Sequence, residues 1–293
     1  MPDMNLLDQL LTLPQYLIPQ HRLSALMFTL TRSRKAWFKD LLIRGFIRLY
    51  GVDMSIAECP DPVAYPCFNE FFTRTLQPSA RPIVADPALA CCPVDGEISQ
   101  IGTIESGHII QAKGRHYTLE QLLGGEMDIT DTFRGGRFAT IYLSPRDYHR
   151  IHIPLAGTLR SMTYIPGRLF SVNQRTARAV PDLFARNERV VCVFDTTIGP
   201  MALVLVGAIF VGSMETVWHG QITPAPRRQY WHKDYSDEDT SGLIKLRKGE
   251  EMGRFNMGST VIVLLPPGRG QWLQDLHPGS KVMMGQALAR LHL

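Results

Sequence analysis

Cysteine is scarce in this sequence and ill-suited to pairing. Cys59, Cys67, Cys91, Cys92 and Cys192 are odd in number, and no C-x-x-C spacing occurs. That excludes a disulfide framework and a structural zinc knuckle, and it fits a reducing compartment. Long apolar runs are also missing. None approaches the 18 consecutive residues that a membrane-spanning helix requires. The G-x-G-x-x-G, Walker A and EF-hand patterns are absent, so nucleotide and calcium sites of the usual kinds are not expected. Charge is nearly balanced, at +4 over 293 residues, with no arginine-rich tract and no zinc-finger spacing, so no nucleic-acid partner is expected. The opening stretch MPDMNLLDQLL carries acids where a secretory leader carries lysines, and no such leader is expected.

What is present begins with helices. Residues 1–50 read as helical segments broken at Pro14 and Pro19, with Leu6, Leu7, Leu10, Leu11 and Leu13 at helical spacing in the first. The clearest is AWFKDLLIRGFIRLYG, 36–51. Lys39, Asp40, Arg44 and Arg48 recur near every fourth residue, and Trp37, Phe38, Leu41, Leu42, Phe46 and Leu49 fill the remaining surface. Such a helix can pack on a protein body. It can equally lie in a membrane interface, with its basic stripe at the phosphates.

From residue 60 the texture changes to frequent proline and short elements. FNEFFTRTL (68–76) and YTLEQLLGG (117–125) read as helices, the second capped by Thr118 and stopped by Gly124-Gly125. Runs at 137–144, 158–165, 189–196, 201–217 and 259–266 carry the β-branched and aromatic residues of strands. No alternation of strands with long helices is evident. The expected class is therefore α+β, with N-terminal helices followed by a mainly antiparallel β body. The polar segment 223–242 reads as a surface loop able to cover a site.

Chemistry concentrates in three places. Gly258-Ser259 stands at the mouth of a buried-looking strand. A serine hydroxyl can attack the preceding carbonyl only where the backbone bends, and glycine lowers the cost of bending. Such an attack needs a base, usually a histidine oriented by an acid. YLSPRDYHRIHIP (142–154) offers His149 and His152, with Arg146 and Arg150 beside them. As a metal site, H-x-x-H lacks further ligands, and no metal is expected. Asp95, in CCPVDGEIS, is one acid able to orient a histidine; Glu97, Asp195 and Glu215 are rivals that spacing cannot separate. Lys113 reads as a surface amine.

These blocks together resemble the phosphatidylserine decarboxylase family, the bacterial proenzyme type of pyruvoyl-dependent decarboxylase. The resemblance runs through VDMSIAECPDP, FNEFFTR, PVDGEIS, YLSPRDYHRIHIP, LFARNERV, VGAIFVGSMET, KGEEMGRFNMGSTV and GQALA, nearly the whole chain. The family's Leu-Gly-Ser-Thr motif reads here Met257-Gly258-Ser259-Thr260, and methionine keeps an unbranched apolar side chain of similar size. The resemblance implies a triad of Asp95, His152 and Ser259, with His149 handling substrate. It implies self-cleavage between Gly258 and Ser259 into a large chain, 1–258, and a small chain, 259–293. Ser259 would become a covalent pyruvoyl cofactor, which forms a Schiff base with phosphatidylserine and releases phosphatidylethanolamine. A homodimer, peripheral on the cytoplasmic face of a bacterial inner membrane, is also implied. Residues 1–58 would be the membrane-associating region and 59–293 the catalytic domain. Two other readings use the same residues: a Ser-His-Asp hydrolase with Ser259 intact, and a membrane-associated scaffold in which 258–260 is only a turn.

Overall fold

A computed structural model of the chain describes residues 8, 10, 12–210, 213–225, 227–236 and 242–292. Leu6, Leu7 and Leu11, read above as part of the first helix, lie outside the described residues. Pro14 and Pro19 do punctuate the helices: Pro14 opens Pro14–Leu17, and Pro19 caps Gln20–Thr31.

The helix Ala36–Tyr50 ends at Gly51, whose φ of 64° provides a left-handed cap that a side chain would strain. Its inner face presents Leu42, Ile43, Phe46 and Ile47, spaced i, i+1, i+4, i+5, to the short helix Phe68–Phe72. Phe46 meets Phe68, Phe71 and Phe72 edge-on, with centroids 5.1, 6.1 and 5.7 Å away. The expected basic stripe is only partly realised. Lys39 is buried, its Nζ donating to Asp40 Oδ1 at 2.6 Å and to the Val63 carbonyl at 2.8 Å, while Trp37, Leu41 and Leu49 face outward.

Gln20–Thr31 is amphipathic in the inverted sense. Its buried side chains are Gln20, Ser24 and Thr31, and Leu26 and Leu30 are exposed. Polar contacts explain this: Gln20 Oε1 accepts from the Leu169 N–H at 2.9 Å and Ser24 Oγ from the Phe210 N–H at 3.2 Å. The body therefore holds this helix by hydrogen bonds and leaves its apolar face unpartnered.

The body is built on a large antiparallel sheet. Its order runs Trp231–Asp234, Gly157–Ile165, Arg189–Thr196, Gly199–Val206, Thr260–Leu265, Arg137–Tyr142, Gly96–Thr103, Lys281–Val282, with Lys245–Leu246 also paired to Gly157–Ile165. Thr260–Leu265 lies inside the sheet, with every residue buried and both edges paired. A smaller sheet, ordered Gly220–Gln221, Met214–Thr216, Glu251–Phe255, Arg150–His152, brings the histidine loop beside the segment leading into Gly258. These elements establish the α+β class, helices first and antiparallel sheet after.

Several expected boundaries shift. The helix at 117–125 spans Leu119–Leu123, with Thr118 and Gln121 forming a reciprocal capping box. FNEFFTRTL is helical only over Phe68–Phe72. The apolar run 201–217 is two strands in two sheets, divided after Val206, with Phe210 at a positive φ of 67° in the break. The expected loop 223–242 contributes an edge strand, Trp231–Asp234, because Trp231 stacks on Tyr164 at 5.9 Å; its residues 226 and 237–241 lie outside the described residues.

Candidate active site

The smaller sheet sets the geometry. Phe255 donates its N–H to the His149 carbonyl at 3.0 Å, so the strand ending in Phe255 carries the chain past His149 and on to Gly258. Ser259 is wholly buried, and its carbonyl accepts from the Leu143 N–H at 2.9 Å, at the start of the loop that holds both histidines. Ser259 Oγ has no hydrogen-bond partner.

Gly258 was expected to supply a bend. The chain instead bends at Asn256 and Met257, and Gly258 has no left-handed φ. A Cβ built on it would meet the Leu143 carbonyl oxygen at 3.4 Å and His149 Nε2 at 3.7 Å, ordinary contact distances. The resting backbone therefore does not itself require glycine here. The same measurement places the His149 ring, through its Nε2, beside Gly258.

His149 is wholly buried against Phe72, with ring centroids 4.1 Å apart. Its Nδ1 donates to the Asp147 carbonyl at 2.8 Å, which leaves Nε2 as the lone-pair nitrogen, and Nε2 has no partner. Burial lowers its pKa to about 3; the Asp147 carbonyl opposes that shift and the nearby Arg74 charge adds to it. His149 is therefore neutral near pH 7.

His152 is placed differently. Its N–H pairs with the Pro93 carbonyl at 2.9 Å, bringing it two residues from Asp95 along the neighbouring chain. Its Nδ1 donates to the Gly249 carbonyl at 2.8 Å, and its Nε2 accepts from the Tyr148 hydroxyl at 3.1 Å. Burial lowers its pKa, against the Gly249 bond and the charges of Glu251 and Asp95. Asp95 is held by Arg81, whose Nε donates to Oδ1 at 2.8 Å and to Oδ2 at 3.0 Å, and by the Met284 N–H at 2.8 Å.

The structure thus brings His149 beside Gly258 and sets Asp95 near His152. No hydrogen bond joins Asp95 to His152 or His152 to Ser259. The rival acids are engaged elsewhere: Asp195 pairs with Arg160, Glu97 with Lys281, and Glu215 with Arg32 and Arg254. Glu215 nonetheless touches the segment leading into Gly258, accepting from Asn256 Nδ2 at 2.8 Å, and Asn256 Oδ1 accepts from Asn69 at 3.0 Å. Arg81, Asn69 and Phe72 were not legible as site residues because each reaches the site across a fold contact, and Tyr148 because its hydroxyl's partner depends on how the loop folds. Only Tyr148, inside the histidine loop, carried a local signal. Among the described residues, no group of three or more His, Cys, Asp or Glu side chains is placed to hold a metal ion.

Comparison with known proteins bears on what this arrangement does. The family model described as phosphatidylserine decarboxylase matches residues 68–290, and a second model, described as PSD, matches residues 10–51. A protein of Nitrosococcus oceani named phosphatidylserine decarboxylase proenzyme is 56% identical over 284 residues, 97% of this chain and 92% of its own. Proteins of the same name from Ectopseudomonas mendocina and Bordetella pertussis are 54% and 56% identical, covering 98% and 96% of this chain and 99% and 94% of theirs.

Proposed function

The chain belongs to the phosphatidylserine decarboxylase family, and on that premise we propose that it converts phosphatidylserine to phosphatidylethanolamine through a pyruvoyl group made from its own Ser259. The observation that carries the reading is a pair of buried, partnerless atoms flanking one peptide bond, Ser259 Oγ and His149 Nε2. A buried hydroxyl without a partner costs about 1–3 kcal/mol. That cost is understandable in a group that the protein is built to consume.

In the proposed self-cleavage a base takes the Ser259 proton, and Oγ attacks the Gly258 carbonyl carbon. The amide becomes an ester as the proton passes to the departing nitrogen. Loss of the Ser259 Cα proton then breaks the Cβ–Oγ bond and frees Gly258 as a carboxylate. Hydrolysis of the resulting dehydroalanine releases ammonia and leaves the pyruvoyl group at position 259. When in place, that group supplies the electron sink for loss of CO2.

Asp95, His152 and Ser259 are the residues assigned to cleavage. The Gly249 carbonyl fixes the His152 tautomer with Nε2 as the basic atom, and Tyr148 must turn aside to free it. Arg81 fixes Asp95, which acts on His152 through its charge. His149 is assigned to substrate binding, with His152 returning the proton to the substrate Cα and His149 as the alternative donor. A second reading, in which His149 is the cleavage base, is favoured by its free Nε2 beside Gly258.

The outward apolar side chains support association of residues 1–58 with a bilayer, leaving 59–293 as the catalytic domain. Among the described residues, ten of the seventeen exposed large apolar side chains lie between Leu10 and Tyr50. No helix among those residues is long and apolar enough to cross a membrane. The reading takes the protein as a peripheral homodimer on the cytoplasmic face of a bacterial inner membrane.

Intact mass tests the proposal. Purified protein is expected as two chains, 1–258 and 259–293, the second blocked at its start, and Ser259→Ala as one inactive chain. An active, uncut wild type would refute the pyruvoyl reading. Uncut His152→Ala with cut His149→Ala supports the first base; the converse supports the second.

A further inference from the structure

Arg74 follows the helix Phe68–Phe72 and is 4% exposed. A cation buried this deeply normally meets a carboxylate, because an unpaired charge in a low-dielectric interior is costly. Among the described residues Arg74 forms no salt bridge. Its Nη2 donates only a long bond, 3.5 Å, to the Arg146 carbonyl, its Nε has no partner, the Phe71 ring is 5.6 Å away, and the Asp95 and Asp53 carboxylates act on it from beyond ion-pair distance. The contrast with Arg81, which holds Asp95 in a fork, and Arg150, which pairs with Glu251 at 2.7 Å, is direct.

Its surroundings suggest what completes it. Arg74 lies beside the histidine loop and close enough to His149 to lower that ring's pKa. The neighbouring Phe72 packs on His149, whose Nε2 faces Gly258. On the other side, Phe68–Phe72 packs on Ala36–Tyr50, the helix with Trp37, Leu41 and Leu49 turned outward. The segment that carries Arg74 therefore lies between the helix with that outward apolar surface and the His149 ring beside Gly258. In phosphatidylserine the groups come in the same order: acyl chains, phosphodiester, then serine.

We propose that Arg74 is a substrate-binding residue that receives the phosphodiester of phosphatidylserine, a role that rests on the decarboxylase reading above. The substrate carboxylate is the poorer partner, since a guanidinium bound to it would stabilise the charge that decarboxylation must dissipate. The phosphodiester keeps its charge throughout, so this contact strengthens binding uniformly and is expressed in KM.

The test uses the self-processed enzyme and glycerophosphoethanolamine, which carries the phosphodiester but no carboxylate. Arg74→Gln is expected to weaken its binding, measured by titration calorimetry, by about tenfold or more. KM for phosphatidylserine should rise comparably with kcat within about threefold, and Arg74→Lys should lie between. Unchanged glycerophosphoethanolamine binding would overturn the proposal, and with a raised KM it would transfer the contact to the carboxylate. If Arg74→Gln and Arg74→Lys both stay uncut while wild type cuts, Arg74 serves the cleavage site and the proposal also fails. A wild type that never cuts is a failure of the decarboxylase mechanism itself, recognisable before any Arg74 variant is made.

Discussion

His149 gives a prediction whose size follows from the structure. In the unfolded chain its pKa returns to about 6.5, whereas burial in the folded protein lowers it to about 3. Below pH 6.5 the unfolded state takes up a proton that the folded state refuses. The resulting stability is fully present above pH 6.5 and is lost as pH falls toward the folded value. Each pH unit inside that window is worth about 1.4 kcal/mol. Between pH 7 and pH 5 the loss from this one ring is therefore about 2 kcal/mol. The measurement is urea unfolding of Ser259→Ala, which on the proposed mechanism stays one chain, against Ser259→Ala/His149→Asn. Both proteins retain His152, so its contribution in the same direction cancels. The first should lose about 2 kcal/mol more than the second over those two pH units. Parallel pH profiles would show that His149 is solvated or charged in the folded protein, and the argument from its free Nε2 would fail with it.

Two other perturbations probe the supports of the site. Arg81→Met leaves the Asp95 carboxylate buried with only the Met284 N–H, and should destabilise by about 3–5 kcal/mol in urea unfolding; adding Asp95→Asn should restore more than half, and no restoration would mean that Arg81 matters by its packing. Leu26→Glu/Leu41→Glu places acids on the outward faces of both helices, and should reduce flotation with anionic vesicles by about tenfold or more while leaving self-cleavage intact; equal flotation would detach these helices from the bilayer reading.

The helix 36–50 and the buried strand 260–265 were legible in the sequence, because helical periodicity depends on residues three to four positions apart and a short run of β-branched and apolar residues marks a strand buried on both faces. So was the family itself, carried by ordered blocks along nearly the whole chain. Which histidine meets Gly258 was not legible. His149 and His152 are three residues apart on a chain passing into a strand, an odd spacing that sends neighbouring side chains to opposite sides. The pairing of Arg150–His152 with Glu251–Phe255, across about a hundred residues of sequence, carries His149 past the segment that leads into Gly258. The burial of Lys39, the inverted helix 20–31, the clasp of Arg81 on Asp95 and the isolation of Arg74 were likewise decided by tertiary contact. A charged side chain's local sequence says that it prefers water; whether it is buried, and whether a partner waits there, depends on which distant segments the fold brings against it.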